Sequence, residues 1–421
     1  MAYQSRLSSA TMYLQELIDE ILDYLHDSPS ALKACSLVSR QFYPRTRIHL
    51  FREINCRSPE SARVFDIARD SPDLLHCIKR VQFRVLDFFL PKHLTATVDL
   101  LHSLSFSVTL SICDNRDSNE ICKWQHVLPA FVSSTPYLAI TRLELISPWR
   151  WCISPTFLEY HHIVLSLPNV TELHISGLTE LSTNEDPVVP APPAPRIRKM
   201  YVEVQERAGT VLSFWEDLRL YRSMYLEHLE EFRVGNLAPV ELWAVVQTAH
   251  LASNDLKVLE IECYQGPFAF ARLSPNITPL HLNPPTYLRL GVFLNNDELP
   301  FINWWIKCFE AVENESTVME RLTIKLTGWR SPITMEQVKL LTRAFEELSN
   351  LLPKLVRNVD LVFQLWKTPN LPNVGNYYCK RKIIDACYVL KEKTNLRVFD
   401  MMEHTYSVPV FPFPASTKRM H

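Results

Sequence analysis

LPNVTELHISGL, residues 167–178, places Val170, Leu173 and Ile175 in the order apolar, two residues, apolar, one residue, apolar. Alternation over the second half of such a stretch marks a strand with one buried face. The same spacing recurs at Ile78/Val81/Phe83, Ile140/Leu143/Leu145, Ile197/Met200/Val202, Leu229/Phe232/Val234 and Leu256/Leu259/Ile261. It continues at Met319/Leu322/Ile324, Val356/Val359/Leu361 and Leu396/Phe399/Met401, with weaker copies at Leu110/Ile112 and Leu288/Leu290. Steps between the middle residues run from 27 (Leu173 to Met200) to 40 (Val359 to Phe399).

Helical signals lie between these strands. Ser58-Pro59-Glu60 reads as an N-cap with proline in the first turn, and Thr334 with Gln337 has the spacing of a capping box. Phe301–Val312 and Val338–Leu352 carry apolar residues at three- and four-residue intervals. One strand and one helix per unit predicts an α/β chain in which each unit buries its apolar face only against its neighbours, a βα solenoid. From residue 75 to 404 the pattern resembles the leucine-rich repeat core. The asparagine or cysteine of that family is replaced by Pro148, Leu178, Gln205, Leu237 and Tyr264. An irregular leucine-rich-repeat-like solenoid is therefore the expectation.

Composition excludes several classes of function. Only seven of 421 residues are glycine, at 177, 209, 235, 266, 291, 328 and 375, against a usual share of about 7%. No two are close enough to form a phosphate-cradling loop or a nucleophile elbow, and there is no H-E-x-x-H motif. The expectation is a non-enzyme without catalytic residues, cofactor or metal. The formal charge of −2 gives no field that would draw nucleic acid or an anionic membrane. Ten cysteines without a C-x-x-C pair read as reduced thiols. No signal peptide or 18-residue apolar run is present, so a cytoplasmic or nuclear location is expected and the sequons at Asn169, Asn276 and Asn314 read as chance matches.

The N-terminus is different in kind. Leu14, Leu17, Ile18, Ile21, Leu22 and Leu25 form an apolar stripe opposite Gln15, Glu16, Asp19, Glu20 and Asp23, predicting an amphipathic helix. Ser28 and Pro29 open a second helix containing Ala31, Leu32, Ala34, Cys35 and Val38, and Pro44 begins a third that runs through Phe51. A unit of residues 12–54 is too small to be stable alone. It either caps the open end of the solenoid or offers its surplus apolar surface as an interface.

Glu16 with Leu17, Ile21 and Leu25, then ACSLVSRQF (34–42) and RTRIHLFREI (45–54), resemble an F-box, particularly those of fungal F-box proteins. Tyr13 and Leu14 stand where that family usually has Leu-Pro, and Phe42 where tryptophan is common. The resemblance implies a helical F-box at 12–54, a solenoid at 55–406 and a tail at 407–421. It further implies a substrate receptor that docks on a Skp adaptor and, through it, a cullin-RING ubiquitin ligase, holding an unknown target protein without bond chemistry of its own. Candidate adaptor contacts are Leu14, Leu17, Ile18, Leu32, Leu37, Val38 and Phe42.

If the repeat resemblance holds, the residues between the last two apolar positions of each strand line a concave target-binding surface. These are Glu144, His174, Tyr201, Arg233, Glu260, Arg289, Thr323, Asp360 and Asp400. The mixed charge suits a protein partner better than a phosphate chain; the other reading is a merely solvated face. PVVPAPPAP (187–195) reads as a solvated loop, and Lys380-Arg381-Lys382 as a helix face. The tail, with prolines at 409, 412 and 414, cannot continue the repeat. The alternative function is a repeat scaffold that binds proteins without ubiquitin ligase membership.

Overall fold

The computed structural model describes residues 14–56, 66–67, 70–84, 98–113, 136–146, 157–178, 195–204, 212–237, 241–252, 255–263, 285–293, 300–312, 318–328, 334–365 and 374–400. Ser58-Pro59-Glu60, residues 187–194 of the proline-rich stretch and the tail 407–421 lie outside these residues.

The chain is α/β, with strands β1 Glu53–Cys56, β2 Arg80–Arg84, β3 Val108–Cys113, β4 Ile140–Ile146, β5 Glu172–Leu178 and β6 Lys199–Val204. They are followed by β7 Glu231–Leu237, β8 Val258–Cys263, β9 Tyr287–Phe293, β10 Met319–Gly328, β11 Val356–Leu365 and β12 Asn395–Asp400. Their order in the 12-stranded sheet is their order in the chain. Pairing is parallel from β1 to β5 and from β7 to β12. Parallel neighbours need a crossover, and helices supply it at Phe157–Leu165, Leu242–Leu251, Pro300–Glu310 and Met335–Leu355. None of the described helices is long and apolar enough to cross a membrane.

The chain divides into two compact units, Met1–Met200 and Tyr201–His421. The first opens with three helices, α1 (14–24), α2 (Pro29–Val38) and α3 (Tyr43–Leu50). Ser28 occupies the N-cap of α2 with Pro29 behind it, yet its side chain caps no N–H. From α3, Arg47 reaches Asp73 at 2.8 Å, and the carbonyl of Arg52 accepts from the N–H groups of Lys79 and Arg80, which ties the helices to β2. In the sheet, Ile54, Val81, Leu110, Leu143 and Leu173 stand in one register row and Cys56, Phe83, Ile112, Leu145 and Ile175 in the next, all buried. The repeat thus starts one strand earlier than expected: Phe51, Ile54 and Cys56 have the spacing of the later units, and the boundary drawn after residue 54 falls within β1.

In the second unit Phe232, Leu259, Leu288, Leu322, Val359 and Leu396 share a row, and Val234, Ile261, Leu290, Ile324, Leu361 and Val398 share the next. The weak copies at 110 and 288 are full strands. The last unit is registered differently from the expectation: Leu396 and Val398, not Phe399 and Met401, continue the core rows, while Phe399 is level with Val362. Met335–Leu355 begins as its sequence dictates. Thr334 Oγ1 accepts from the Gln337 N–H at 3.2 Å, and Gln337 Oε1 accepts from the Thr334 N–H at 2.8 Å, closing the capping box.

Two strands end in equivalent ways. Gly177 (φ 81°) and Asn236 (φ 56°), each two residues past the last core position of its strand, turn the backbone through the left-handed region. Asn236 also donates to Glu203 Oε1 at 3.0 Å. The following residue, where a repeat asparagine would stand, is Leu237 in β7, and it is fully buried. Apolar packing there replaces the hydrogen-bonded ladder.

One glycine is required by close approach. A Cβ at Gly291 would lie 2.9 Å from Glu262 Cγ and 3.1 Å from its Cα, and Glu262 is held there by Lys325, which reaches it from β10 at 3.0 and 3.1 Å. Gly291→Val should displace Glu262 and cost about 1–3 kcal/mol of stability, read as a lower midpoint in denaturant unfolding; an unchanged midpoint would contradict the proposed crowding.

Candidate functional site

Two surfaces gather the residues singled out above. Ile18 and Leu22 on α1, with Leu25 in the turn that follows it, form the core of the trio with Leu32, Cys35, Phe42 and Leu50. Leu14, Leu17, Ile21 and Tyr24, at i, i+3, i+7 and i+10, lie on the other side and are exposed. Tyr24 is 90% exposed; Leu37 and Val38, at the end of α2, are 87% and 74% exposed. The seven candidate contacts therefore divide. Leu14, Leu17, Leu37 and Val38 are accessible, whereas Ile18 and Leu32 are closed off inside the trio and Phe42 is packed against that core. Ile21 and Tyr24 were missed as accessible residues; the three- and four-residue spacing from Leu17 could have found them.

A charged clamp fixes the orientation of α1. Asp23 accepts from Arg45 Nε at 2.6 Å and Nη2 at 2.5 Å, and pairs with His49 Nε2 at 2.7 Å. These bonds, Arg45 foremost and His49 next, hold the Asp23 carboxyl down at about 2. The buried Thr46 hydroxyl donates back to the carbonyls of Phe42 and Tyr43, both at 2.9 Å. Because α1 is held on one side by this clamp and the Ile18–Leu22 core, its other apolar side faces solvent.

The second surface is the polar face of the sheet. In the first unit Glu144 is buried, with Arg80 Nη2 at 2.5 Å and Arg142 Nε at 3.1 Å. Arg80 lies two strands away on β2 and crosses β3 where Ser111 is small. Burial pushes the Glu144 carboxyl up, opposed by both arginines. His174 stands level with Glu144, and burial, with help from Arg142 and Arg80, pushes its imidazole down to about 4, so it is neutral at physiological pH.

In the second unit one row reads Arg233, Glu260, Arg289, Thr323, Asp360 and Arg397 from β7 to β12. Arg289 reaches Glu260 at 3.1 Å and Glu262 at 3.4 Å; Arg233 reaches Glu231 at 3.2 Å and Glu260 at 3.6 Å. Tyr201 donates to Glu231 at 3.2 Å and lies under the Arg233 guanidinium. Asp400 is the exception among the expected residues. It stands level with Phe363, outside the row, and pairs with Lys380. The place expected for it belongs to Arg397, whose Nε and Nη2 donate to the two oxygens of Asp360 at 2.8 and 3.0 Å. The error follows from the misread register of β12. Also missed were Arg142, Glu172, Glu231, Glu262, Arg321 and Lys325, two residues along their strands from the chosen positions, and Arg80 on β2, where no position was chosen. Strand alternation puts them on the same face, so the signal was present.

No family model matches the chain, and no curated protein matches it.

Because the folded state holds the Asp23 proton less tightly than the unfolded chain, the stabilising contribution of the clamp is complete above pH about 4 and is lost as pH falls toward 2. Backbone amide signals of residues 14–50 should report that loosening, and Asp23→Asn should remove the step. A wild-type-like step in that variant would assign the loosening to another group.

Proposed function

We propose that the chain is the substrate-recognition subunit of a Skp-cullin-F-box ubiquitin ligase, with α1–α3 as the adaptor-docking F-box and the polar sheet face as the target-holding surface. The observation that carries this reading is the apolar stripe of Leu14, Leu17, Ile21 and Tyr24 on the outer side of α1, with Leu37 and Val38 likewise exposed at the end of α2, on a trio whose inner core is already filled by other residues. Exposed apolar side chains that line one side of a helix mark an interaction surface. A patch of this make-up, with an aromatic residue among aliphatic ones, fits a standard interface of roughly 800 Å² per partner. The sequence resemblance to F-boxes names the partner class, a Skp adaptor.

The function is proximity rather than bond chemistry. A receptor that holds its target beside a ubiquitin-carrying enzyme raises the effective concentration of target lysines near the thioester. Nothing in such a role requires a nucleophile or a cofactor in this chain.

The test is co-elution of the purified full-length chain with a Skp adaptor in size-exclusion chromatography. Leu17→Asp and Leu37→Asp alter exposed side chains, so both variants should keep the wild-type circular dichroism spectrum and melting temperature. Each should weaken adaptor binding by about 2 kcal/mol or more. Undiminished binding by both folded variants, or no complex from the folded wild-type chain, would overturn the receptor reading and leave a protein-binding scaffold.

A further inference from the structure

The polar face of the second unit is layered by charge. Arg233, Arg289, Arg321, Arg397 and Lys325 face Glu231, Glu260, Glu262 and Asp360, so by composition alone the surface is close to neutral. Along the row through Glu260 and Asp360 depth separates the signs, whereas beside that row Lys325 is 15% exposed and its partner Glu262 28%. The side chains of Arg233, Arg289 and Arg397 are 41%, 39% and 43% exposed, whereas Glu260 and Asp360 retain 16% and 9%. The carboxylates form a floor and the guanidiniums a roof over them.

The roof is also braced from the side. Arg233 lies over the Tyr201 ring with 5.1 Å to the centroid, Arg321 over Tyr287 at 5.1 Å and Arg397 over Phe399 at 5.5 Å. Such stacking fixes the guanidinium plane and leaves outward N–H donors for a partner. A guanidinium has five N–H donors in a planar fork. Arg289 directs one amino group at Glu260 and the other at Glu262, which leaves N–H groups beyond those two contacts. A molecule approaching this face meets arginine first.

We infer that the open face of the second unit docks an acidic segment of the target protein, its carboxylates engaging Arg233, Arg289 and Arg397. The inference rests on the proposed role of this face in holding the target, and not on the adaptor contact. Charge complementarity selects the occupant: a basic segment would meet guanidiniums before it could reach the sunken acids, whereas carboxylates can form charge-assisted pairs with the roof. Spacing narrows it further. Arg233 on β7 and Arg289 on β9 are in register two strands apart, about 10 Å at the usual separation of neighbouring strands. A polyproline II segment, with three residues per turn and about 3.1 Å per residue, returns a side chain to the same side after about that distance. A segment with acidic residues at every third position, crossing the strands, matches Arg233 and Arg289, with Arg397 three strands beyond Arg289.

The experiment uses the full chain and two labelled peptides on a Gly/Ser background, one with glutamate and one with glutamine at every third position, followed by fluorescence anisotropy. The glutamate peptide should bind about tenfold tighter or better at low ionic strength, and the preference should vanish near 1 M salt, where the screening length is about 3 Å. Arg233→Gln with Arg289→Gln should abolish the preference. Glu260→Gln gives an independent arm should the double variant fail to fold, because removing a floor carboxylate should tighten the glutamate peptide. Equal affinities for the two peptides, or unchanged or weaker binding in Glu260→Gln, would overturn the inference. Adaptor co-elution on the same preparation separates the two readings: intact co-elution with no peptide preference removes the acidic-segment inference alone.

Discussion

Parallel pairing in chain order makes register the quantity on which both surfaces of the sheet depend. A strand repeats its side-chain direction every two residues, so a slip of one residue would carry its core positions to the polar face. Phe232, Leu259, Leu288, Leu322 and Val359 stay level from β7 to β11, and each is fully or almost fully withdrawn from water. Burying one such side chain contributes about 1.5–3 kcal/mol, which leaves little freedom to trade alignment for a better polar contact. The ordering of Arg233, Glu260, Arg289, Thr323, Asp360 and Arg397 on the opposite face is thus a consequence of the apolar rows beneath it.

That ordering brings its own costs. Exposed ion pairs contribute at most about 1 kcal/mol each, and a carboxylate as withdrawn as Glu144 or Asp360 loses hydration that a single partner does not fully replace. Both acids have two basic partners, Arg80 and Arg142 for the first, Arg321 and Arg397 for the second. Where a partner lies two strands away, as Arg80 does from Glu144 and Lys325 from Glu262, the intervening strand offers no bulk. Ser111 lies between Gln82 and Glu144 in register, and Gly291 lies between Glu262 and Lys325. In a chain with few glycines, one retained where a Cβ would strike Glu262 shows a packing constraint set by the polar face, not by a turn.

Most of the architecture was legible from apolar spacing because parallel units must repeat their buried pair to share a core. The signal failed at the ends, where a strand has one neighbour instead of two. At β1, the pattern Phe51-x-x-Ile54-x-Cys56 was absorbed into the helical trio, since cysteine is a less conspicuous core residue than leucine. At β12, Leu396 and Phe399 offered one apolar frame and Leu396 and Val398 another; pairing with β11 selects the second. Every residue of β12 is at least partly accessible, so hydrophobicity alone could not arbitrate. Choosing only the position between the last two core residues likewise found half of the polar face, because Arg321 and Lys325 lie one pleat to either side of Thr323.

The helical trio shows why an amphipathic stripe in sequence underdetermines a site. Leu14 to Leu25 read as a single apolar side, broad enough to cover more than the trio's small core can use. The fold divides it by angle: Ile18 and Leu22 turn inward against Leu32, while Leu14, Leu17 and Ile21 remain about half exposed. Asp23 decides which half is which, because its bonds to Arg45 and His49 lock the rotation of α1 about its own axis. An alanine or serine at 14, 17 or 21 would serve the inner core equally well, since none of the three takes part in it. Their apolar character is therefore not required by the trio's own core, and under the proposed receptor reading the polar clamp that holds them outward is part of the adaptor surface as much as the side chains that form it.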